Sequence, residues 1–551
     1  MKKREELCPD KFLKNTNKKV LDIFHKHLNP KDKERKLFGE IFTPISLVCE
    51  MLDKLPKKVW KNKDLKWLDP ANGMGNFPVI VYYKLMDSLK DKIKTEKARS
   101  KHIIENMLYM NELNPTNVKM SKKIFKMIDS TAKPNIQKSD FLHNFKTFSD
   151  GTNKFDIIIG NPPYNSGGIK AITTKKVKRD QTKCKTIWPS FVKESFKLLK
   201  DSKSYLLFLH PASWISLKST NGKLITSKQI VYLRYYSCTK AGSLFNKPLG
   251  GGTIPLTYCL IKNVETKEDT IIYDNCYKKD VMFNIYKNNF VPTESVDMLR
   301  KIYKCTQKYG SLKNKYMSTN DAKNIVNIYK KSHPYPIVNI VRKEIIVRYS
   351  KQNNDKNTEK KLILPNSSMG YPLYDKEGIL YPASQHHFIL YSNNNEKQLK
   401  QLQSYFFTSL IFYIITISKT AQKFLDNKLF DILPDITKMT GKTNITDDLL
   451  IQLFGLTKKD LICLEKYKQR GEGKLPAEKI SQFKKFNIKQ ILTNAKINTI
   501  KKMKEQSPRK KSTRKREIQK YKSSKTRKKN TRKRRKTRRR SRKGFLQRLF
   551  N

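Results

Sequence analysis

The run Phe155-Asp156-Ile157-Ile158-Ile159-Gly160 is closed by Asn161-Pro162-Pro163-Tyr164. A short, nearly continuous apolar run bounded by turn residues reads as a strand buried on both faces, and such strands belong to parallel sheets covered by helices. The two prolines fix φ and carry no N–H, which ends the strand and leaves neighbouring carbonyls free to accept hydrogen bonds. An amide oxygen, free carbonyls and an aromatic face therefore stand at the carboxyl end of a buried strand, where open α/β sheets place their chemistry. Such a group suits an amino nitrogen held beside a ring. Taken alone, the tetrapeptide also reads as a proline-rich turn with Tyr164 as a core aromatic.

A second element lies upstream. Trp67-Leu68-Asp69-Pro70-Ala71-Asn72-Gly73-Met74-Gly75-Asn76-Phe77 reads as a short strand, a glycine turn and the start of a helix. Gly73 and Gly75 permit positive φ and close approach of a ligand, and the helix start behind them offers unpaired N–H groups. Further on, Asn106–Pro115 reads as a strand with Glu112 at its end, where a carboxylate can accept both ribose hydroxyls of a nucleoside, and its neighbours Asn111 and Asn114 are the alternatives for that role. The distance from the glycine turn exceeds the roughly 20 residues of a minimal unit, so an extended helix or an insertion is expected between Pro78 and His102. Ahead of all these, in Phe38–Val48, Thr43 caps a helix that Pro44 begins.

Together these motifs resemble the S-adenosylmethionine-dependent DNA adenine-N6 methyltransferases of gamma motif order, as in type II and IIG restriction-modification enzymes. The family's cofactor loop, Asp-Pro-x-x-Gly-x-Gly-x-Phe, is matched at every fixed position, and its Asn/Asp/Ser-Pro-Pro-Tyr/Phe motif is Asn161–Tyr164. The resemblance implies cofactor contacts from Thr43, Asp69, Pro70, Ala71, Gly73, Gly75, Phe77, Glu112, Asp140 and Phe141. In it Thr43 closes over the methionine end, Asp140 accepts the adenine amino group and Phe141 flanks the ring. It implies catalysis by Asn161, Pro162, Pro163 and Tyr164, with the target adenine flipped from duplex DNA and stacked on Tyr164. No metal is required for that transfer. A turn residue at Asp140 and a plain helix cap at Thr43 explain the same residues without a ligand.

The expected fold class is α/β: a Rossmann-like S-adenosylmethionine-dependent methyltransferase sheet, a carboxyl-terminal mixed α/β target-recognition domain and a disordered basic tail. Four segments are expected: an extension over 1–37, the catalytic domain over 38–265, the recognition domain over 270–500, and the tail over 501–551. Within the catalytic part, Trp188–Leu199 has helical apolar spacing, Tyr205–Pro211 is a buried strand, and Thr253–Ile261 is a later strand. Gly250-Gly251-Gly252 ahead of it reads as a loop that folds over a flipped base or as a simple turn. In the recognition part, Tyr335–Val347 is rich in β-branched residues and Tyr405–Ile417 reads as a buried helix too short to span a membrane.

Charge constrains the partner. The 551-residue chain has a formal net charge of +68. Its last 51 residues carry 26 Lys/Arg against two Glu. Such a tail repels itself and lacks the apolar side chains to fold, while binding phosphates by counterion release. A localisation signal or a packaging tail fits the same composition. Duplex DNA is the expected partner, with RNA as an alternative, and the protein is expected to be a monomer.

The eight cysteines are scattered without a C-x-x-C pair, so neither a zinc site nor a disulfide framework is expected. His386-His387 has no neighbouring ligand set. The charged amino terminus predicts no signal peptide. The chain is therefore expected to be intracellular, in nucleus or cytoplasm. No stretch before Phe38 is long enough for a nuclease domain, and no Asp…Glu-x-Lys set ends an apolar strand. A single-chain restriction-modification enzyme and a non-catalytic DNA-binding protein on a methyltransferase fold remain the alternative functions.

Overall fold

The computed structural model describes residues 43–166, 185–245, 254–318 and, with short interruptions, 325–469, together with the isolated positions 20 and 493. The expectations for the 1–37 extension, the Gly250–Gly252 connection and the 501–551 tail lie outside the described residues, Val20 excepted.

Nine strands form one sheet in the order β3-β2-β1-β4-β5-β7-β6-β8-β9. They are β1 (Trp67–Asp69), β2 (Leu108–Glu112), β3 (Asn135–Lys138), β4 (Ile157–Gly160), β5 (Tyr205–Pro211), β6 (Gln229–Tyr236), β7 (Leu256–Lys262), β8 (Thr270–Asp274) and β9 (Lys279–Phe283). Strands β1 to β5 are mutually parallel wherever they pair, whereas β7 runs antiparallel between β5 and β6. The central strands β1, β2 and β4 are buried throughout and β3 at the edge is half-buried, as expected for a parallel sheet covered on both faces. After β1 the chain builds β2 and β3 on one side, then returns to place β4 on the other. The crevice at the carboxyl ends of β1 and β4 is thus the topological switch point.

Helices α1 (Ile45–Leu52), α2 (Asn76–Ser88), α3 (Pro115–Ile128) and α4 (Trp188–Leu198) accompany these strands. The long link from the glycine turn to Glu112 is filled by α2 and by a second helix, Glu96–His102, that runs on into a π-helical turn. Asn114 caps α3, its side chain accepting the Thr116 N–H at 3.0 Å ahead of Pro115 at the first helical position.

Two sequence expectations are corrected. The sheet does not stop near residue 265, because β8 pairs in parallel with β6 and β9 pairs with β8, so residues 270–283 belong to the sheet that carries the site. The scattered cysteines also conceal a close pair. Cys276 and Cys463 form a disulfide with their Cα atoms 5.9 Å apart across 187 positions, a proximity that tertiary folding creates and sequence spacing hides.

The chain divides into two compact units. The first holds the nine-stranded sheet and a helical region that includes α5 (Val296–Tyr309), the apolar α6 (Ser409–Ile417) and α7 (Lys458–Gln469). The second, within residues 317–399, holds two four-stranded sheets, and one of them contains the expected β-branched segment as an antiparallel pair, Tyr335–Val341 with Ile345–Ser350. A fully buried ion pair, Lys361 Nζ to Asp375 Oδ2 at 2.9 Å, lies in the other.

Candidate active site

At the end of β1, Asp69 is 2 % exposed and its Oδ1 accepts the Ala71 N–H at 3.1 Å. Burial pushes its carboxyl up to about 8, against the pull of that N–H and with a smaller push from the charge of Glu112. Gly160 at the end of β4 has φ +148°, and a Cβ there would meet Asp69 Oδ1 at 2.8 Å. A glycine is thus required immediately before Asn161, because the aspartate of the neighbouring strand fills the space a side chain would need. The glycine turn follows, with φ +57° at Gly73 and +101° at Gly75, the latter forming the amino-terminal cap of α2.

Glu112 is the hinge between two loops. Its Oε2 accepts the Gly73 N–H and its Oε1 the Asn114 N–H, both at 2.7 Å. Beside it, Asn111 donates to the carbonyls of Pro70 and Ser139, tying together the loops after β1 and β3. Asp140 sits in the latter loop, where its Oδ1 accepts the Leu142 N–H at 2.9 Å and its Oδ2 pairs with His143 Nδ1 at 3.0 Å. The Phe141 ring stacks on Phe191 of α4, with centroids 5.2 Å apart and planes at 19°.

Thr43, just ahead of α1, is held by Asn76, whose Nδ2 donates to the Thr43 carbonyl at 2.9 Å. The other end of α1 is pinned to the sheet by Glu50. Its Oε1 accepts from Arg234 and from the hydroxyls of Tyr236 and Tyr258, the last two at 2.8 Å. Opposite, the backbone carbonyl of Tyr164 accepts the Ile187 N–H at 3.0 Å, and an Asn165–Thr186 bridge continues the contact. The Tyr164 ring packs against the main apolar cluster, and burial pushes its hydroxyl well above the usual phenol range.

These elements enclose one cavity. Every residue proposed from sequence lines it except Gly75, which underlies it as the helix cap: Thr43, Asp69, Pro70, Ala71, Gly73, Phe77, Glu112, Asp140, Phe141 and Asn161 through Tyr164. Sequence reading missed Asn72, Asn76, Leu113, His143 and Phe191, which also line it, as does Asn111, an alternative to Glu112. Asn76 occupies a variable position of the glycine motif, Leu113 is an exposed apolar residue beside the acidic strand end, and Phe191 looks like one more apolar position of a helix. Nothing in the local sequence marks His143. Among the described residues no cluster of three or more His, Cys, Asp or Glu could hold a metal ion, and no helix is long and apolar enough to cross a membrane.

A mostly parallel sheet with an acidic residue ending its second strand, a glycine turn after its first and Asn-Pro-Pro-Tyr after its fourth defines the class of Rossmann-like methyltransferases. Comparison with known proteins narrows this. Residues 43–240 match the model of the Eco57I restriction-modification methylase family. An uncharacterized adenine-specific methylase of Mycoplasma pneumoniae is 25% identical over 245 residues, covering 32% of this chain and 56% of that protein. The chain thus spans about half the length of the curated relative it matches. Among solved structures it is similar to the Type IIL restriction-modification enzyme MmeI in complex with DNA (TM-score 0.40, 11% identity, 86% of this chain and 80% of that one). It is also similar to a nuclease-deletion mutant of the Type ISP restriction-modification enzyme LlaGI in complex with a DNA substrate mimic (TM-score 0.42, 14% identity, 76% and 55%). The resemblance to restriction-modification adenine methylases expected from the motifs is borne out.

Proposed function

We propose that the chain is a site-specific DNA methyltransferase that transfers a methyl group from S-adenosylmethionine to the N6 amino group of adenine. The observation that carries this reading is the convergence of Asn161–Tyr164, the glycine turn, Glu112 and Asp140-Phe141 on one cavity at the switch point of the sheet. The cavity residues fit the cofactor by their chemistry. A carboxylate such as Glu112 suits ribose hydroxyls, Asp140 an adenine amino group, and the apolar faces of Leu113 and Phe141 a purine ring. When bound, S-adenosylmethionine supplies an electrophilic methyl group on a sulfonium.

The adenine amino nitrogen is conjugated with its ring and is a poor nucleophile. In this proposal the Asn161 side-chain oxygen and the Pro162 carbonyl each accept one of its protons, which favours a tetrahedral nitrogen as positive charge develops. Holding the amine in line with the methyl group contributes prepaid orientation. The base leaves its duplex to reach these groups, and Tyr164 offers the face on which it stacks.

Duplex DNA as partner is supported by the net charge of +68, with the basic tail adding affinity that does not depend on sequence. Residues beyond the sheet, including the unit with two four-stranded sheets, would read the target. The transfer uses no metal, and a monomer suffices for it.

The test is sequencing of genomic DNA, by polymerase kinetics, from methylation-deficient bacteria that express the chain or its Asn161→Ala variant. N6-methyladenine at a short defined motif is expected with the first and none with the second. A folded chain that binds S-adenosylmethionine yet leaves genomic adenine unmodified would overturn DNA adenine as the substrate.

A further inference from the structure

Asn76 carries an unused acceptor inside the cavity. The residue is 5 % exposed and lines the cavity at the first position of α2. Its Nδ2 donates to the Thr43 carbonyl at 2.9 Å, which fixes which end of the amide is nitrogen. The other end, Oδ1, is buried and has no hydrogen-bond partner among the described residues. A buried acceptor without a donor is costly, so a ligand that supplies the donor recovers that cost on binding.

Topology indicates which donor. The strands nearest the cavity run β3-β2-β1-β4 across the sheet. Glu112 and Asp140 follow β2 and β3, which assigns the nucleoside to that side. Asn161–Tyr164 follow β4 and, on that reading, would lie beside the methyl group. The amino-acid end of the cofactor is left the space bounded by the glycine turn, Thr43 and Asn76. Its donor is an α-ammonium, and a hydrogen bond to a charged group is worth more than a neutral one.

We infer that Asn76 Oδ1 binds the α-ammonium of the cofactor's methionine moiety, so that one side chain couples cofactor binding to the Thr43 strap ahead of α1. This rests on the methyltransferase reading above. Asn72 is the rival, since its Oδ1 is also buried without a partner. Its amide, however, is drawn toward α3, where Nδ2 donates to Ser121 at 3.0 Å, and its Oδ1 lies 3.7 Å from where a Cβ on Gly75 would stand. Among the described residues no hydrogen bond joins it to Thr43.

The test is a cycle of two ligands and two chains, read by calorimetry on the full-length protein. The ligands are S-adenosylhomocysteine and its analogue in which hydrogen replaces the α-amino group; the chains are the natural one and Asn76→Ala. In the natural chain, loss of the amino group should weaken binding roughly tenfold or more, and in Asn76→Ala the two ligands should bind alike. Equal discrimination in both chains would overturn the assignment. So would an Asn76→Ala chain that weakens both ligands by the same factor, which is the mark of a structural role. Asn76→Ser, which keeps a small polar residue at the helix start, replaces the alanine chain if that one does not fold. A natural chain that binds neither ligand removes the methyltransferase reading itself, a result distinct from loss of coupling.

Discussion

In a Gly160→Ala chain the new methyl group would stand 2.8 Å from Asp69 Oδ1, on a backbone held at φ +148°. A side chain in that region of φ costs roughly 1–3 kcal/mol. Asp69 cannot swing aside freely, because it is 2 % exposed and held by the Ala71 N–H. Losing that hydrogen bond adds about 1 kcal/mol, for a total of about 2–4 kcal/mol. The same displacement reaches chemistry, since Asn161 is the next residue. A shift of about 1 Å at its amide should cost on the order of 100-fold in methyl transfer. Urea unfolding of the cofactor-free chain measures the first effect and single-turnover methyl transfer the second. Adding Asp69→Ala separates the two causes of instability: it removes the clash and leaves the φ strain, so the pair should couple by about 1 kcal/mol. A Gly160→Ala chain that unfolds at the natural urea concentration, or a strictly additive cycle, would refute the claim that the two strand ends lock each other.

Three further outcomes are expected. Since burial raises the Asp69 carboxyl from 3.8 to about 8, the folded chain keeps a proton that the unfolded chain releases, so its contribution is full below about pH 4 and is lost as pH rises toward 8. Urea midpoints of the cofactor-free chain at pH 5 and 8 should therefore differ less in Asp69→Asn than in the natural chain, and an equal fall in both would contradict the buried proton. Glu50→Ala should cost roughly 3–5 kcal/mol, because it strands the Arg234 guanidinium in the interior, and adding Arg234→Met should recover part of that loss in the same denaturation assay. Ending the chain at residue 500 removes 26 Lys/Arg, so the slope of log affinity against log salt for duplex DNA should become shallower, and an unchanged slope would mean that the tail does not touch phosphate.

What sequence could and could not reveal follows from the range of the interactions involved. Asn161–Tyr164 and Asp69–Phe77 are legible because each acts within a few positions, where proline, glycine and a strand end set the local geometry with little outside help. The convergence of these motifs with Glu112 and Asp140 was legible from their order, since parallel strands joined by helices must bring their carboxyl ends to one side. Polar contacts between distant segments were not legible. Asn76 reaches Thr43 across 33 positions and Glu50 reaches Tyr258 across 208, and sheet register and helix rotation select those partners. Nothing beside Glu50 in the sequence marks it as an anchor, because its partners sit on β6 and β7. Gly160 shows the same limit within the best-read motif. Its place before Asn161 is plain from the sequence, but the reason it must be glycine lies on a neighbouring strand, in a carboxylate 91 positions earlier in the chain. Local chemistry therefore specified the motif groups of this site, whereas its other lining residues and the exact positions of all of them depend on long-range closures, and those closures are where substitution is most informative.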